Sequence, residues 1–215
     1  MCSSGIDLSD SLADPGSAGA SLYTGIILAG GSGSRLGQNK ALVSVAGCSL
    51  IEWVVDVLRP LVSDLLLVTQ AAEPLVTLDL PTVTDVYPGV GTLGGLHAGL
   101  DAMRTEYGLV VGCDMPLLNA DLLCYMMSQA SGYDVVMPRI GKYHEPLHAL
   151  YSKRCVPNIE RSILAGRRRI LYALSGARIR YIEESEIDRF DPDHLSFFNV
   201  NTPEELERAR ALLAP

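Results

Sequence analysis

The chain lacks three things. It has no apolar run of the ~18 residues that could span a bilayer. It has no CxxC pair among its five cysteines, Cys2, Cys48, Cys113, Cys124 and Cys155. It has no excess of positive charge, since 17 Lys and Arg stand against 25 Asp and Glu, for a formal net charge of −8. The first absence excludes a membrane-spanning helix. The second argues against a zinc site or a disulfide framework, and the odd count favours reduced thiols in a cytoplasmic protein. The third argues against non-specific nucleic-acid binding, while leaving room for an anionic small molecule held by a few local bases. The first two dozen residues are small, polar and acidic, without the basic and apolar regions of a signal peptide. Residues 1–21 are therefore expected to be a flexible extension, with residues 22–215 forming one domain. A hydrophobic content of 48% is ample for its core.

Apolar runs at Gly25–Leu28, Asp64–Thr69, Leu109–Gly112 and Asp134–Met137 read as buried strands. Helical patterns lie between them. "SLIEWVVDVLRPL" opens on Ser49 with Glu52 three residues later, a capping box, and Pro60 marks its end. "LGGLHAGLDAM" and "NADLLCYMMSQA" are two more helices, the second capped by Asn119. "HEPLHALYS" reads as extended, "PNIERSILAG" as helical and "ARIRYIEE" as a strand. "FFNVNTPEELERARALL" reads as strand, turn and helix, with Thr202 as N-cap, Pro203 in the first turn and Glu205 closing a box. The alternation predicts an α/β fold: a Rossmann-like, three-layer arrangement with a mostly parallel central sheet and helices on both faces. No internal repeat is visible.

Chemistry concentrates where the first strand ends. "LAGGSGSRLGQNK" places glycines, Arg35 and Lys40 just beyond Leu28. In an open α/β sheet, ligands bind outside the carboxyl ends of strands. Glycines let backbone N–H groups close on an anion, and two bases add charge, so phosphate is the natural guest. The loop is not a Walker A motif, because Gly37 is followed by Gln38-Asn39-Lys40 without a Ser or Thr. It is not GxGxxG either. In "VVGCDMP", Asp114 stands at a buried strand end, where a lone carboxylate is costly unless paired or metal-bound. Mg²⁺ shared between one carboxylate and substrate phosphates suits it. Asp85, in "TDVYPG", could serve a ligand or simply organise a turn. Asn199 and Asn201 flank Val200, so both amides are expected on one face beside a helix N-terminus. The bases of "GRRRI", Arg167 to Arg169, read as a solvated run with some attraction for an anion. Arg139, Lys142 and His144 precede "EPLHALY" near the expected substrate-facing loop. His97 and His148 read as packing residues. No metal cluster of His, Cys and Asp and no Ser–His–Asp arrangement has sequence support.

The loop, together with "TDVYPGVGTLGGLHAGL", "VVGCDMPLL", "EPLHALY" and "FFNVNTPEEL" in that order, resembles the nucleotidyltransferases of sugar-nucleotide pyrophosphorylase type. Among these the chain is most similar to the MobA-type molybdenum cofactor guanylyltransferases, from about Tyr23 to the C-terminus. The resemblance implies an enzyme that moves GMP from GTP to the terminal phosphate of molybdopterin-bound molybdenum cofactor and releases pyrophosphate. It implies catalytic roles for Arg35, Lys40 and Asp114, with Asp114 as the Mg²⁺ ligand. It places Leu28, Ala29, Gly30, Gly31, Ser32, Gly33, Lys40, Asp85 and Asp114 on the nucleotide, and Asn199 and Asn201 on the pterin side. The implied partners are GTP, the molybdopterin cofactor, and molybdoenzyme apoproteins or other cofactor-biosynthesis proteins, with no nucleic acid and no membrane. Thr92 stands where relatives commonly have proline. A cytidylyltransferase on the same pterin, a transferase for another sugar or alcohol phosphate, and a nucleotide-binding accessory protein are the alternatives.

Overall fold

The computed structural model describes residues 23–30, 40–70 and 78–214. The expected extension over residues 1–21 lies outside the described residues. So do Gly31, Ser32, Gly33, Ser34 and Arg35.

The chain runs β1 (Tyr23–Leu28), a 3-10 turn (Lys40–Leu42), β2 (Ser44–Val45), β3 (Cys48–Ser49), α1 (Leu50–Leu58), β4 (Asp64–Val68), β5 (Thr82–Val83), α2 (Thr92–Ala102), β6 (Tyr107–Gly112) and α3 (Ala120–Ser128). It continues through β7 (Val135–Ile140), β8 (Tyr143–His144), β9 (His148–Ser152), α4 (Val156–Leu164), α5 (Ile170–Ala173), β10 (Ile179–Glu183), α6 (Glu184–Ile187) and α7 (Pro203–Leu213). The main sheet has the order β10-β7-β9-β6-β1-β4-β5, with β8 paired to β7. All its pairs are parallel except those made by β8 and β9, which run against β7 and against β6 and β7 respectively. This is the expected mostly parallel sheet, and "HEPLHALYS" supplies the reversed strand.

Two apolar layers sandwich the sheet. Ile27, Leu67, Val111 and Leu150 face α1, α3 and α6, while Ile26, Val68, Val110 and Tyr151 face α2, α4 and α5. The alternation of neighbours such as Ile26 and Ile27 between layers is the period of two of a strand buried on both faces. The caps read from sequence are present. The Ser49 N–H donates to Glu52 at 2.6 Å, and Asn119 Oδ1 accepts from Leu122 N at 2.9 Å.

Two expectations need correction. The stretch before α7 is not a strand. Leu195–Phe197 is a 3-10 turn, and residues 198–200 join no sheet. Local polar chemistry decides this: buried Asp191 accepts the N–H groups of Leu195 at 3.0 Å and Ser196 at 2.8 Å, winding the chain into a turn. The extended piece that follows crosses over the sheet edge, held by Val200 N donating to Asp114 O at 2.9 Å. The second correction concerns thiols. Cys48 is disulfide-bonded, whereas Cys113, Cys124 and Cys155 are free. The expectation of reduced thiols throughout fails at Cys48. Among the described residues, no helix is long and apolar enough to cross a membrane.

Candidate active site

The parallel strands point their carboxyl ends at one edge. β1 ends there at Leu28 and runs on into Ala29 and Gly30, β5 leads to Asp85 and β6 leads to Asp114. Ala29 is pinned by its N–H donating to Val68 O at 2.8 Å, and Gly30 is exposed. The chain returns at Lys40, in a turn anchored by fully buried Ala41.

Lys40 is the centre of the described site. Its Nζ donates to Asp114 Oδ2 and to Asn201 Oδ1, each at 2.5 Å. These residues come from three places, separated by 74 and 161 positions in the chain. The Lys40 and Asp114 side chains are 21% and 20% exposed, so the pair sits at the floor of an open edge. An ion pair so placed is partly desolvated, yet within reach of a ligand.

Asn201 is placed by the start of α7. Its N–H and that of Thr202 both donate to Glu205 Oε2, at 2.6 and 2.9 Å, while Thr202 Oγ1 accepts from Glu205 N at 3.2 Å. The capping box therefore also aims a site residue. Val200 is fully buried with Val45, Leu50 and Ala209. Asn199 does not join Lys40; its Nδ2 donates to Phe197 O at 3.0 Å. The two asparagines expected on one face have different tasks in this structure.

Two glycines make room for carboxylates. A Cβ at Gly112 would collide with Asp114 Oδ1, and one at Gly94 would collide with the carboxylate of Asp85. Gly95 faces only ordinary contacts, with Val68 and Leu28 at 3.7 and 3.8 Å. For Gly94 the close neighbour is the carboxylate of Asp85. That carboxylate also organises its turn, since Oδ1 accepts from Tyr87 N at 2.7 Å. Helix α2 opens on Gly91 at φ +78°, where a side chain would be strained.

Asp114 fits a divalent cation. Oδ2 is bound to Lys40, and Oδ1 lies above the gap left by Gly112. Among the described residues, no group of three or more His, Cys, Asp or Glu could hold a metal. An ion here would need further oxygens from a ligand, as Mg²⁺ takes them from phosphates. Cys113, next to Asp114, is no nucleophile: burial, then the Asp114 charge, pushes its thiol up to about 12.

The remaining candidates lie apart from this centre. Arg139 is held by Glu183 at 2.5 Å and lies over the Tyr181 ring. Lys142 lies over Tyr143, and His144 packs on Tyr181. Arg167, Arg168 and Arg169 are exposed, as a solvated run should be. His97 packs edge-on against Tyr87, and fully buried His148 lies against Phe197.

Residues 25–179 match the family described as MobA-like NTP transferase domain. The chain belongs to this family. It is 39% identical over 189 residues to a probable molybdenum cofactor guanylyltransferase of Pelotomaculum thermopropionicum, covering 88% of this chain and 92% of the relative. It is 36% identical to the molybdenum cofactor guanylyltransferase of Desulfosudis oleivorans, over 88% of this chain and 95% of that one. Its fold matches molybdopterin-guanine dinucleotide biosynthesis protein A from Archaeoglobus fulgidus with a TM-score of 0.76 and 31% identity, covering 88% of this chain and 97% of that one. The MobA-like assignment makes the Lys40–Asp114–Asn201 centre the candidate active site of a nucleotidyltransferase. Sequence reasoning named all three residues. It did not foresee that Lys40 binds Asn201 or that Gly94 and Gly112 clear space for carboxylates; "VVGCD" was a usable signal for the latter, a glycine two residues before a strand-end aspartate.

Proposed function

We propose that the protein transfers GMP from GTP to the terminal phosphate of molybdopterin-bound molybdenum cofactor, releasing pyrophosphate. The observation that carries this reading is the Lys40–Asp114–Asn201 centre at the carboxyl edge of the sheet, in a chain whose full-length relatives carry that activity in their names.

The chemistry follows from charge. A phosphate monoester has a second pKa near ~6, so the acceptor is largely ionised at neutral pH without a strong general base. The difficulty lies in bringing two anions together and in stabilising charge on the departing pyrophosphate. Positioning and electrostatics carry most of that work. Leu28, Ala29 and Gly30 lead into the phosphate loop, to which we also assign Gly31, Ser32, Gly33 and Arg35. Lys40 neutralises phosphate charge from a fixed position, because Asp114 and Asn201 hold its ammonium. Asp85 would orient the nucleotide. Asp114 would hold Mg²⁺ together with phosphate oxygens, and the ion would supply charge neutralisation. Asn199 and Asn201 border the acceptor side.

The test is pyrophosphate release by the purified protein with Mg²⁺ and loaded molybdopterin cofactor, comparing GTP, CTP and ATP. GTP alone should support release. A preference for CTP would keep the phosphate site and overturn the guanylyl reading. Binding of GTP without release under any nucleotide would make the protein an accessory binder.

A further inference from the structure

Glu145 has no role in the chemistry above. It begins "EPLHALY", between β8 and β9. Its N–H donates to Pro138 O at 3.1 Å, adding one rung to the β7–β8 pair, and its C=O accepts from His148 N at 3.1 Å, closing a turn over Pro146. That turn is fixed from below by fully buried Tyr151, whose hydroxyl donates to Pro146 O at 2.7 Å. The backbone at Glu145 is thus held rigidly beyond the carboxyl end of β6, the strand that carries Asp114, because His148 pairs with Val111.

Its carboxylate has no partner among the described residues. Arg139, on the adjacent β7 strand, is engaged by Glu183. Burial alone raises the Glu145 carboxyl above its ordinary range, with no neighbouring charge to offset it. Glu145 is half-buried, and a carboxylate on a rigid mount without a protein donor is available to accept from a ligand. No metal group of three or more protein ligands includes it. Pleat alternation gives the direction. Arg139 and His144 are paired and share a face with Tyr181, so Glu145 lies on the opposite face with Pro138 and Ile140. Ile140 packs in the same apolar layer as Phe197. The crossing segment with Asn199 and Asn201 follows Phe197 directly in the chain.

A carboxylate offers two parallel acceptors, which match two adjacent N–H donors. The 2-amino-4-oxo pyrimidine edge has that pair, and both guanine and a pterin carry it. Position along the edge separates them. Leu28, Ala29 and Asp85 follow β1 and β5, on one side of Asp114; Glu145 lies on the other, over β9 and β7. Resting on the transferase reading above, we propose that Glu145 recognises the acceptor, taking the ring N–H and 2-amino group of its pterin as a bidentate pair.

The test compares Glu145→Gln with the wild type, with Glu145→Asp as a second variant and thermal unfolding as a check on folding. Steady-state rates should show a cofactor KM raised about tenfold or more, because a site built to accept two donors loses one acceptor. The KM for GTP should stay within about twofold of wild type, the size of change expected where no contact is lost. A raised KM for GTP with an unchanged cofactor KM would assign the carboxylate to guanine and overturn the proposal. Two unchanged KM values, or a fall in kcat alone, would also overturn it. A direct titration needs no turnover: pterin against 2,4-dioxopteridine, which lacks the amino donor. Wild type should prefer pterin, and Glu145→Gln should lose that preference. If wild type shows the preference yet turns over no nucleotide, the recognition stands and the transferase reading fails. Equal affinity of wild type for the two pteridines overturns the recognition.

Discussion

Lys40 spends its hydrogen bonds on two residues that hold it still, and a fixed ammonium loses little freedom when a triphosphate arrives. Replacing it by alanine should lower turnover by roughly 10²–10³, the scale seen when one preorganised charge donor is removed. Lys40→Ala should leave the protein folded but lower its unfolding temperature, because Asp114 loses its partner in a mostly buried site. Asp114→Ala should behave likewise. Near-wild-type turnover in either variant would remove that residue from the mechanism. The glycines make a sharper contrast. Gly94→Ala forces the Asp85 carboxylate aside, whereas Gly95→Ala meets only ordinary contacts. The first should raise the KM for GTP by about tenfold, or ~1.4 kcal/mol, while the second leaves it alone. Equal effects from both would show that helix packing, not Asp85, governs the position. Much at this scale was legible beforehand. Lys40 and Asp114 announce themselves by standing just beyond glycine-rich or apolar strand ends. Of the two roles open to Asp85, the structure displays the turn, through its bond to Tyr87.

Among the elements, α7 ties stability to the site. Glu205 accepts from the N–H groups of both Asn201 and Thr202, so one carboxylate caps the helix and sets the asparagine that holds Lys40. Glu205→Ala should cost about 1 kcal/mol as a lost cap, or roughly 2–4 °C in a chain of this size. It should also lower kcat several-fold. Glu204→Ala, on the same first turn without those bonds, is the control and should leave kcat unchanged. A matching fall in both variants would mean that the cap does not position Asn201. The capping boxes and helix starts were readable because their chemistry is local, spanning three or four residues. The crossing segment was not. "FFNV" has the composition of a strand, and only Asp191, the Asp114 carbonyl and the Val200 pocket, all distant in sequence or turned by local bonds, decide against one. The antiparallel insertion of β9 between β6 and β7 is likewise a long-range outcome that an extended apolar pattern leaves open.

For the whole molecule, two-sided burial of the sheet predicted the three layers, because runs without polar alternation need cover on both faces. The bond between Lys40 and Asn201, across 161 positions, is the part that no local pattern encodes. Global stability should carry one pH signature from the core. Burial drives His148 from its ordinary 6.5 down to about 3, so the folded protein keeps it neutral. The unfolded chain takes up a proton below about pH 6.5 that the native state refuses, so stability is full above that pH and is lost as pH falls toward 3. Thermal unfolding between pH 7 and 5, above most carboxylate titrations, should show the decline. His148→Gln, which does not titrate, should flatten it; an unchanged slope would show that His148 is not its source.

The most direct measurement follows the phosphorus. GTP labelled at the α-phosphate would be incubated with the protein, Mg²⁺ and loaded molybdopterin cofactor, and the products separated. The label should appear in a pterin–guanine dinucleotide, with unlabelled pyrophosphate formed in equal amount. Label found only in free GMP, or remaining in GTP while the cofactor is unchanged, would contradict the transfer of GMP to the pterin phosphate.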